Sequence, residues 1–360
     1  MKDLLLVGAG QAHLYVLKQL QKSSLPDVKV TLLSLSEYQY YSGMFPGYAE
    51  GLYPLEEIQI DVRHLAEEAG AEWVKGAAVS VDPEQKTVLT DQGKMLGYDV
   101  VSFNIGSLTY GTDRPGVLEY AEMIKPNDRF PEVMKEIHKA VRPVIVGGGW
   151  VAVELALALQ TRRNKEGMEP LMLVSEGSLL DEEIPRAGEK AEALAREKGI
   201  SLHLHDAAEA VMNNKVVTAS NRKIPFDRLL WVAGPRPHQM FSTSLPVDES
   251  GYLLVENTLQ VKAYPSIFGA GDCVSVRGFP HHDKAAFYAM KQASILWENL
   301  KGFFGKGEGQ LYQPGAASFL KIMSTGDRKG IMLYKGRMFY GKWSWMLKNR
   351  MNRKLIKQFQ

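Results

Sequence analysis

The sequence predicts an α/β protein in which two similar βαβ units are followed by a short C-terminal region. In each unit an apolar strand meets a glycine-rich turn and then a helical segment, LLLVGAGQAH at residues 4–13 and VIVGGGWVAVE at residues 144–154. Each unit also closes in the same way. A Tyr-Asp or Phe-Asp step precedes an apolar strand that ends at Gly106 in the first unit and at Gly234 in the second.

The first glycine turn has the features of a dinucleotide-binding, Rossmann-like domain. Gly8 allows a tight turn out of the strand, and Gly10 has no Cβ, so a pyrophosphate can approach the N-terminus of the helix predicted at residues 12–21. A third small residue is expected three places after Gly10, where the chain has His13. Taken alone, the segment fits a plain glycine turn between a core strand and a helix equally well.

The next strand, predicted at residues 28–34, ends without the acid that usually bonds an adenosine ribose. Ser34 occupies that position, and Glu37 follows three residues later. A serine hydroxyl can still bond a ribose, but more weakly than a carboxylate. This is a departure from the general pattern.

The segment at residues 38–47, YQYYSGMFPG, is rich in aromatic residues and glycine. Such a loop can cover a flat ring system, with glycine letting main-chain N–H groups reach its heteroatoms. The alternative is a buried aromatic loop with no ligand. Without further context the sequence favours the buried loop.

The remaining elements of the first unit, up to the start of the second, follow from apolar runs and turn residues. We predict a helix at residues 60–69, strands at 72–77, 78–82, 87–90 and 98–107, a linker at 112–116 and a helix at 127–140.

The second glycine turn is better formed than the first, because Gly147, Gly149 and Ala152 have the spacing G-x-G-x-x-A. A strand predicted at residues 171–174 leads to Glu176, at the position of the ribose acid. A carboxylate there favours NADH over NADPH, since it repels a 2′-phosphate. The alternative is a set of coincidental glycines followed by a surface glutamate.

Further elements are predicted in the later part of the second unit and in the segment that follows it. A helix is predicted at residues 190–198 and strands at 201–205, 215–219 and 229–234. An apolar strand then runs into Gly269-Ala270-Gly271-Asp272, and a long amphipathic helix is predicted at residues 284–300. Asp272 can bond the hydroxyl of a polyol, or it can serve as a helix N-cap.

Composition excludes several classes of function. The net charge of +2 gives no general attraction to nucleic acid, and no run of about 18 apolar residues predicts a membrane span. Cys273 is the only cysteine, so an intramolecular disulfide, a Cys-x-x-Cys pair and a multi-cysteine metal site are excluded. We expect no bound metal, and a reducing cytoplasm fits the cysteine usage.

Together, the two glycine turns, the late Gly-Ala-Gly-Asp and the helix after it resemble the pyridine nucleotide-disulfide oxidoreductase superfamily. The resemblance implies a glutathione-reductase-like fold with FAD in the first domain and NADH in an inserted second domain. The implied boundaries are an FAD-binding domain at 1–110 and 235–310, an NADH-binding domain at 111–234 and a C-terminal region at 311–360.

Finer features are similar to the NADH dehydrogenase-like branch of that superfamily. These features are YSGMFPG at residues 41–47, Ser34 in place of an acid, and STGDR at residues 324–328. The branch includes the flavoprotein module fused to selenide, water dikinase, and is more distantly similar to type II NADH:quinone dehydrogenases.

The resemblance to this branch implies the site residues. Contacts to FAD are implied for Gly8, Gly10, His13, Ser34, Gly43, Met44 and Asp272, and contacts to NADH for Gly147, Gly149, Val151 and Glu176. The cofactor-binding set also takes in Gln11, Ser42, Asn104, Gly106, Gly234, Gly271 and Lys284. Glu154 matches the glutamate near the nicotinamide–flavin junction. Lys284 lies where the family's helix approaches the flavin, and these two are the implied catalytic residues.

The electron acceptor distinguishes reactions in this superfamily. A dithiol relay is impossible with one cysteine, and sulfide:quinone chemistry needs at least two. A quinone, a one-electron dye or protein, and oxygen remain, and we expect a quinone or a similar acceptor. The alternative is a flavin- and NADH-binding redox sensor or partner subunit with little turnover. The imperfect first turn and the missing ribose acid support that alternative.

The last 20 residues bear on the acceptor, because they hold six basic residues, no acid, and interleaved Trp, Met, Leu and Phe residues. A basic amphipathic helix with tryptophans suits an anionic membrane, which would place the protein on the inner face of the cell membrane. The alternative is a helix packed on the FAD domain with a solvated basic face. Both stay open, and the oligomeric state is not predicted. His281 and His282, before Lys284, are either proton carriers or solvated loop residues, with the solvated reading favoured.

Overall fold

The computed structural model describes residues 1–279, 286–305, 307–313 and 320–360. Its α-helices are α1 (Gln11–Lys22), α2 (Phe45–Glu50), α3 (Leu55–Ile58), α4 (Val62–Glu68), α5 (Val117–Tyr120), α6 (Phe130–Lys139), α7 (Trp150–Glu166), α8 (Pro185–Glu197), α9 (Gln239–Ser242), α10 (Ala286–Phe303) and α11 (Lys342–Ile356). Short 3₁₀ turns lie at Ser42–Met44, Asn127–Arg129 and Gly271–Cys273.

The strands are short, and most belong to two central sheets or to small hairpins. They are β1 (Lys2–Val7), β2 (Val28–Ser34), β3 (Tyr38–Tyr40), β4 (Gln59–Asp61), β5 (Glu72–Lys75), β6 (Ala78–Asp82), β7 (Thr87–Thr90), β8 (Met95–Gly97), β9 (Val100–Phe103), β10 (Leu108–Thr109), β11 (Pro143–Val146), β12 (Met172–Val174), β13 (Ser201–His203), β14 (Ala208–Met212), β15 (Lys215–Thr218), β16 (Lys223–Pro225), β17 (Arg228–Trp231), β18 (Pro235–Arg236), β19 (Leu253–Val255), β20 (Gln260–Val261), β21 (Tyr264–Gly269), β22 (Val274–Val276), β23 (Lys321–Ser324), β24 (Gly330–Tyr334) and β25 (Arg337–Gly341).

The first central sheet has the order β20-β21-β9-β1-β2-β5, so it joins the start of the chain to a segment near residue 265. All neighbours from β21 to β5 are parallel. Leu4 in β1 lies opposite Val30 on one side and Val100 on the other. A central parallel strand is buried on both faces, which explains why residues 4–7 read as a continuous apolar run.

The second central sheet has the order β13-β12-β11-β17, and all of its strands are parallel. It lies wholly within residues 143–231. The chain enters and leaves this unit side by side, because β10 pairs with β18 and Leu108 lies opposite Arg236. The α/β class with two Rossmann-like units is thereby confirmed, whereas the predicted boundaries at 111 and 234 stay a prediction.

The C-terminal region forms a three-stranded antiparallel sheet, β23-β24-β25, which leads directly into α11. The helix was expected from the sequence, whereas the sheet was not. Helix α11 packs on β23 and β24, and β23 in turn packs on α7 of the second unit. The end of the chain therefore lies against both units rather than extending away from them.

Several predicted helices have different bounds in the structure. The helix expected at residues 60–69 begins only at Val62, because Asp61 ends a strand and accepts a hydrogen bond from the His64 N–H at 2.8 Å as the N-cap. Helix α8 begins at Pro185 rather than at residue 190, since proline suits the first turn. Helix α10 is described from Ala286.

Candidate functional site

The carboxyl ends of β1 and β9 meet at the centre of the first sheet, where ligands bind in open α/β folds. Gly8 follows β1 with a φ of +89°, and a Cβ built on it would lie 2.6 Å from the Asn104 carbonyl oxygen. At Gly10 a Cβ would lie 2.3 Å from Asn104 Oδ1. Both glycines are therefore required by the packing against Asn104, directly after β9, in addition to the tight turn predicted at Gly8 and the pyrophosphate approach predicted at Gly10.

His13 lies beneath this turn and is fully buried. Its Nδ1 is 2.6 Å from the Gly8 carbonyl oxygen, and its Nε2 is 2.8 Å from Ser102 Oγ. A carbonyl oxygen can only accept, so Nδ1 donates and Nε2 accepts from the hydroxyl. Burial lowers the pKa of His13 to about 4, which keeps the ring neutral. The His13 side chain therefore has no exposed atom that could make the implied contact with FAD. Its ring instead links the turn to β9 through two hydrogen bonds.

Ser34 also has its hydroxyl engaged within the protein. The Oγ donates to the Ser36 carbonyl oxygen and accepts from Trp73 Nε1, both at 2.9 Å. The side chain is buried at the end of β2. A ribose contact at Ser34 would have to displace one of these bonds, and this implied contact stays a prediction.

The Gly-Ala-Gly-Asp segment at residues 269–272 lies at the same end of the first sheet as the first glycine turn, on the opposite side of β9. β21 pairs with β9, and the Gly271 N–H, at a φ of +76°, donates to Gln292 Oε1 at 2.6 Å. Asp272 follows at once, so the structure brings it to the edge that holds the first glycine turn. Cys273 is buried, with its Sγ 3.3 Å from the Ala270 carbonyl oxygen.

Lys125 and His238 also lie at this edge, and sequence reasoning missed both. Lys125 Nζ donates to Ser107 Oγ at 2.6 Å; burial lowers its pKa, and the Asp272 carboxylate opposes that shift. Burial lowers the pKa of His238 to about 4, and its Nε2 has no partner among the described residues. The only local signals are prolines, after Lys125 and before His238, so neither residue could be assigned from the sequence.

The aromatic segment packs inside the protein, as the buried-loop alternative expects. It forms β3, a 3₁₀ turn at Ser42–Met44 and α2. Met44 and Phe45 are buried, and the Phe45 ring stacks on Phe130 with centroids 3.5 Å apart. The Gly43 carbonyl oxygen accepts from Asn352 Nδ2 of α11 at 2.7 Å. The contacts implied for Ser42, Gly43 and Met44 stay predictions.

The second glycine turn keeps an open face. Gly147 is held by packing, because a Cβ on it would lie 2.3 Å from the Val232 carbonyl oxygen. A Cβ on Gly149 or Gly234, in contrast, would meet no atom within 4 Å. Val151 and Glu176 are exposed beside the turn. The predicted NADH residues are thus brought together at one turn, and the contacts with NADH implied for them stay predictions.

Glu154 lies on α7 and is only 6% exposed. Its carboxylate accepts from the Ser324 N–H and from Lys348 Nζ of α11. Lys348 comes from the tail that the sequence analysis assigned to membrane or packing, and it was not expected at a site. Burying two charges is costly unless they pair, so the pair fixes α11 against α7.

The first glycine turn also has features that suit a bound cofactor. Gln11 Oε1 is buried without a partner among the described residues, and a Cβ on Gly106 would meet no atom within 4 Å, so the first turn has room and polarity for a ligand. Lys284, with His281 and His282, lies outside the described residues. Within those ranges no group of three His, Cys, Asp or Glu side chains could hold a metal ion.

Two sheets with parallel central strands, each with a glycine turn at the start of a helix, are typical of proteins that bind two dinucleotides. Residues 2–293 match the family model described as pyridine nucleotide-disulphide oxidoreductase. The chain belongs to this family, and its cofactors are FAD and NADH. The resemblance stated from the sequence is confirmed.

The curated relatives have low sequence identity to this chain but align over most of its length. Ferroptosis suppressor protein 1 of Taeniopygia guttata is 24% identical over 75% of this chain and 74% of its own length. A probable NADH dehydrogenase of Dictyostelium discoideum is 22% identical over 92% of this chain and 80% of its own. The type II NADH:quinone oxidoreductase of Staphylococcus saprophyticus is 25% identical over 76% of this chain and 74% of its own.

Solved structures show the same fold. The sulfide:quinone oxidoreductase of Aquifex aeolicus superposes with a TM-score of 0.80 at 20% identity and covers all of this chain and 91% of its own. The NDH2 of Plasmodium falciparum in complex with NADH also gives 0.80, at 14% identity, over 99% of this chain and 97% of its own.

Proposed function

We propose that the protein is an FAD-dependent NADH dehydrogenase that passes electrons to a quinone. The observation that carries this proposal is the buried pair of Glu154 and Lys348. The pair joins the second glycine helix to the C-terminal region, at the position that the resemblance assigns to the nicotinamide–flavin junction. Relatives that align over most of their length and are described as a probable NADH dehydrogenase and a type II NADH:quinone oxidoreductase support the same reaction.

When bound, FAD supplies the hydride acceptor for NADH and the electron donor for the next acceptor. The chain's own residues bind, orient and supply protons. Reduction of a quinone to a quinol takes up two protons, and Lys348 Nζ, which donates to the Glu154 carboxylate, is a proton donor beside the position that the resemblance assigns to the junction. Cys273, the only cysteine, is buried against main-chain oxygens, which supports an acceptor other than a disulfide.

Helix α11 supports a membrane surface as the place of the reaction. Its inward side is polar over most of its length, with Ser344 and Asn352 buried ahead of the apolar Ile356, whereas Trp343 is 83% and Met346 50% exposed. Arg350 lies on the same outward side. Exposed tryptophan and methionine beside cations suit an anionic bilayer, where a quinone pool is within reach. Within the described ranges, no helix is long and apolar enough to span a membrane.

The tail is tested by cosedimentation with vesicles that contain anionic lipid. We expect the double variant Trp343→Ser/Met346→Ser to bind several-fold less than the wild type, because each change removes apolar area that would enter the interface. Lys94→Ser, which removes an exposed cation from the first unit, is the control and should bind normally. Equal binding by all three proteins would remove the membrane from the proposal.

The reaction itself is tested anaerobically in a stopped-flow spectrometer. A stoichiometric amount of NADH should bleach the flavin absorbance, and a short-chain ubiquinone should restore it at a rate that increases with quinone concentration. Flavin that NADH does not reduce would favour the alternative of a redox sensor or partner subunit. Rapid bleaching without reoxidation by quinone would keep the NADH step and exclude the quinone.

A further inference from the structure

The glycines that border the first site share one neighbour, Asn104. A Cβ on Gly8 would lie 2.6 Å from the Asn104 carbonyl oxygen, and a Cβ on Gly10 would lie 2.3 Å from Asn104 Oδ1. A Cβ on Gly271 would lie 2.5 Å from Asn104 Nδ2. Two segments that lie more than 250 residues apart in the chain therefore both pack closely against Asn104, and each has glycine at the point of contact.

The Asn104 amide bonds both segments. Its Oδ1 accepts from the N–H groups of Ala12, at 3.0 Å, and of His13, at 3.2 Å. These are the second and third residues of α1, whose N-cap, Gly10, has no side chain to bond them. The Nδ2 donates to the Ala270 carbonyl oxygen at 2.7 Å. Asn104 thus caps α1 from a different strand and ties the cap to the residue before Gly271.

The main chain of Asn104 completes the arrangement. Its N–H donates to the Val7 carbonyl oxygen at 2.8 Å, and its carbonyl oxygen accepts from the Gly10 N–H at 3.1 Å. The residue is only 3% exposed. Since the N–H groups of Ala12 and His13 are already bonded, the Gln11 N–H is the first-turn donor left without an acceptor among the described residues.

We propose that Asn104 is a positioning residue for FAD. It holds the turn at residues 8–11 against the turn at residues 270–272, so that the pyrophosphate and the polyol chain meet preformed partners. It also directs the pyrophosphate to the Gln11 N–H instead of the two amides that it bonds itself. The direct contact with the cofactor that the resemblance implies for Asn104 stays a prediction. The inference depends on FAD binding and not on the identity of the electron acceptor.

The test compares Asn104→Ala and Asn104→Asp with Ser102→Ala in the full-length holoprotein. Ser102→Ala is the matched control, because it removes one buried hydrogen bond between the same strand and the same helix. Three measurements are made: the dissociation constant of FAD from fluorescence, the ³¹P NMR signals of bound FAD, and the melting temperature of the apoprotein.

Asn104→Ala should weaken FAD binding by roughly ten- to a hundredfold, since three hydrogen bonds of the paired turns are lost. It should also shift the ³¹P signals, whereas Ser102→Ala should lower only the melting temperature. Asn104→Asp keeps an acceptor for the helix but cannot donate to Ala270. Its apoprotein should regain stability while FAD stays weakly bound.

Two outcomes would overturn the role of Asn104. In the first, Asn104→Ala has the same FAD affinity and ³¹P signals as the Ser102→Ala control. In the second, Asn104→Asp regains both stability and FAD affinity, which would show that Asn104 acts only as a helix cap. If Asn104→Ala does not fold, Asn104→Asp alone decides between them. A wild-type protein that fails to hold FAD would instead overturn the cofactor site, so the two failures are distinguishable.

Discussion

Acid should destabilise the first glycine turn, because His13 is buried there in its neutral form. The ordinary pKa of histidine is 6.5, and burial lowers that of His13 to about 4. Between these values the unfolded chain binds a proton that the folded chain does not. The contribution of His13 to the free energy of unfolding is therefore fully present above pH 6.5, declines as the pH falls toward 4, and is lost below that pH.

The size of the effect follows from the two pKa values. A difference of about 2.5 in pKa corresponds to at most about 3 kcal/mol, and about 2 kcal/mol is lost at pH 5. Urea-induced release of flavin, measured at pH 7.5 and 5.0 at fixed ionic strength, gives the free energy of unfolding at each pH. His238 contributes in the same direction, because burial also lowers its pKa to about 4.

The contribution of His13 is isolated by substitution. His13→Asn does not titrate and keeps a donor near the position of Nδ1, so its loss of stability between pH 7.5 and 5.0 should be about 2 kcal/mol smaller than in the wild type. Ser102→Ala removes the other hydrogen bond of the ring but leaves the titrating group, so it should keep the wild-type pH dependence. If His13→Asn also keeps that dependence, the buried neutral histidine is not its source.

Three further predictions concern charges and glycines. Lys348→Met leaves its partner carboxylate buried and unpaired and should cost about 3–5 kcal/mol in thermal unfolding, whereas exposed Lys354→Met should cost little. Glu176→Ala should raise the ratio of kcat/KM for NADPH over NADH by roughly tenfold, because a charge that repels the 2′-phosphate is removed. Gly10→Ala should be purified without flavin, since its methyl group collides with the neighbouring asparagine amide. Gly149→Ala should retain FAD.

Local patterns predicted most of the central sheets. The strand at Val28–Ser34 of the first central sheet has the predicted bounds, as do Ala78–Asp82 and Thr87–Thr90 of a separate antiparallel sheet, because apolar alternation and turn residues act over a few positions. Both glycine turns were also found from sequence. Their short spacing is fixed by the geometry of a strand that passes directly into a helix.

The partners of those turns could not be predicted in the same way. Asn104 bonds residues about 90 positions earlier and 166 positions later in the chain, and Lys348 meets a glutamate 194 positions away. Such pairs depend on which strands become neighbours, and no local pattern records that choice. His13 was unexplained for the same reason, because its second partner, Ser102, is on another strand.

The tail shows a different kind of limit. Its composition predicted a helix but left open which side would face the protein. In the structure the polar residues Ser344, Lys348 and Asn352 face inward because they meet polar groups of both units, and only the last part of the helix, at Ile356, joins the apolar core. A pattern of apolar and basic residues alone cannot reveal this inverted arrangement.

The pairing of β21 with β9 has a consequence for biosynthesis. Ile267 lies opposite Val101, so the first sheet stays incomplete until about three-quarters of the chain has left the ribosome. The second sheet uses only residues 143–231 and can form earlier, from closer partners. The nascent chain should therefore acquire its NADH-binding half first, and FAD can be captured only after residue 272 has been synthesised.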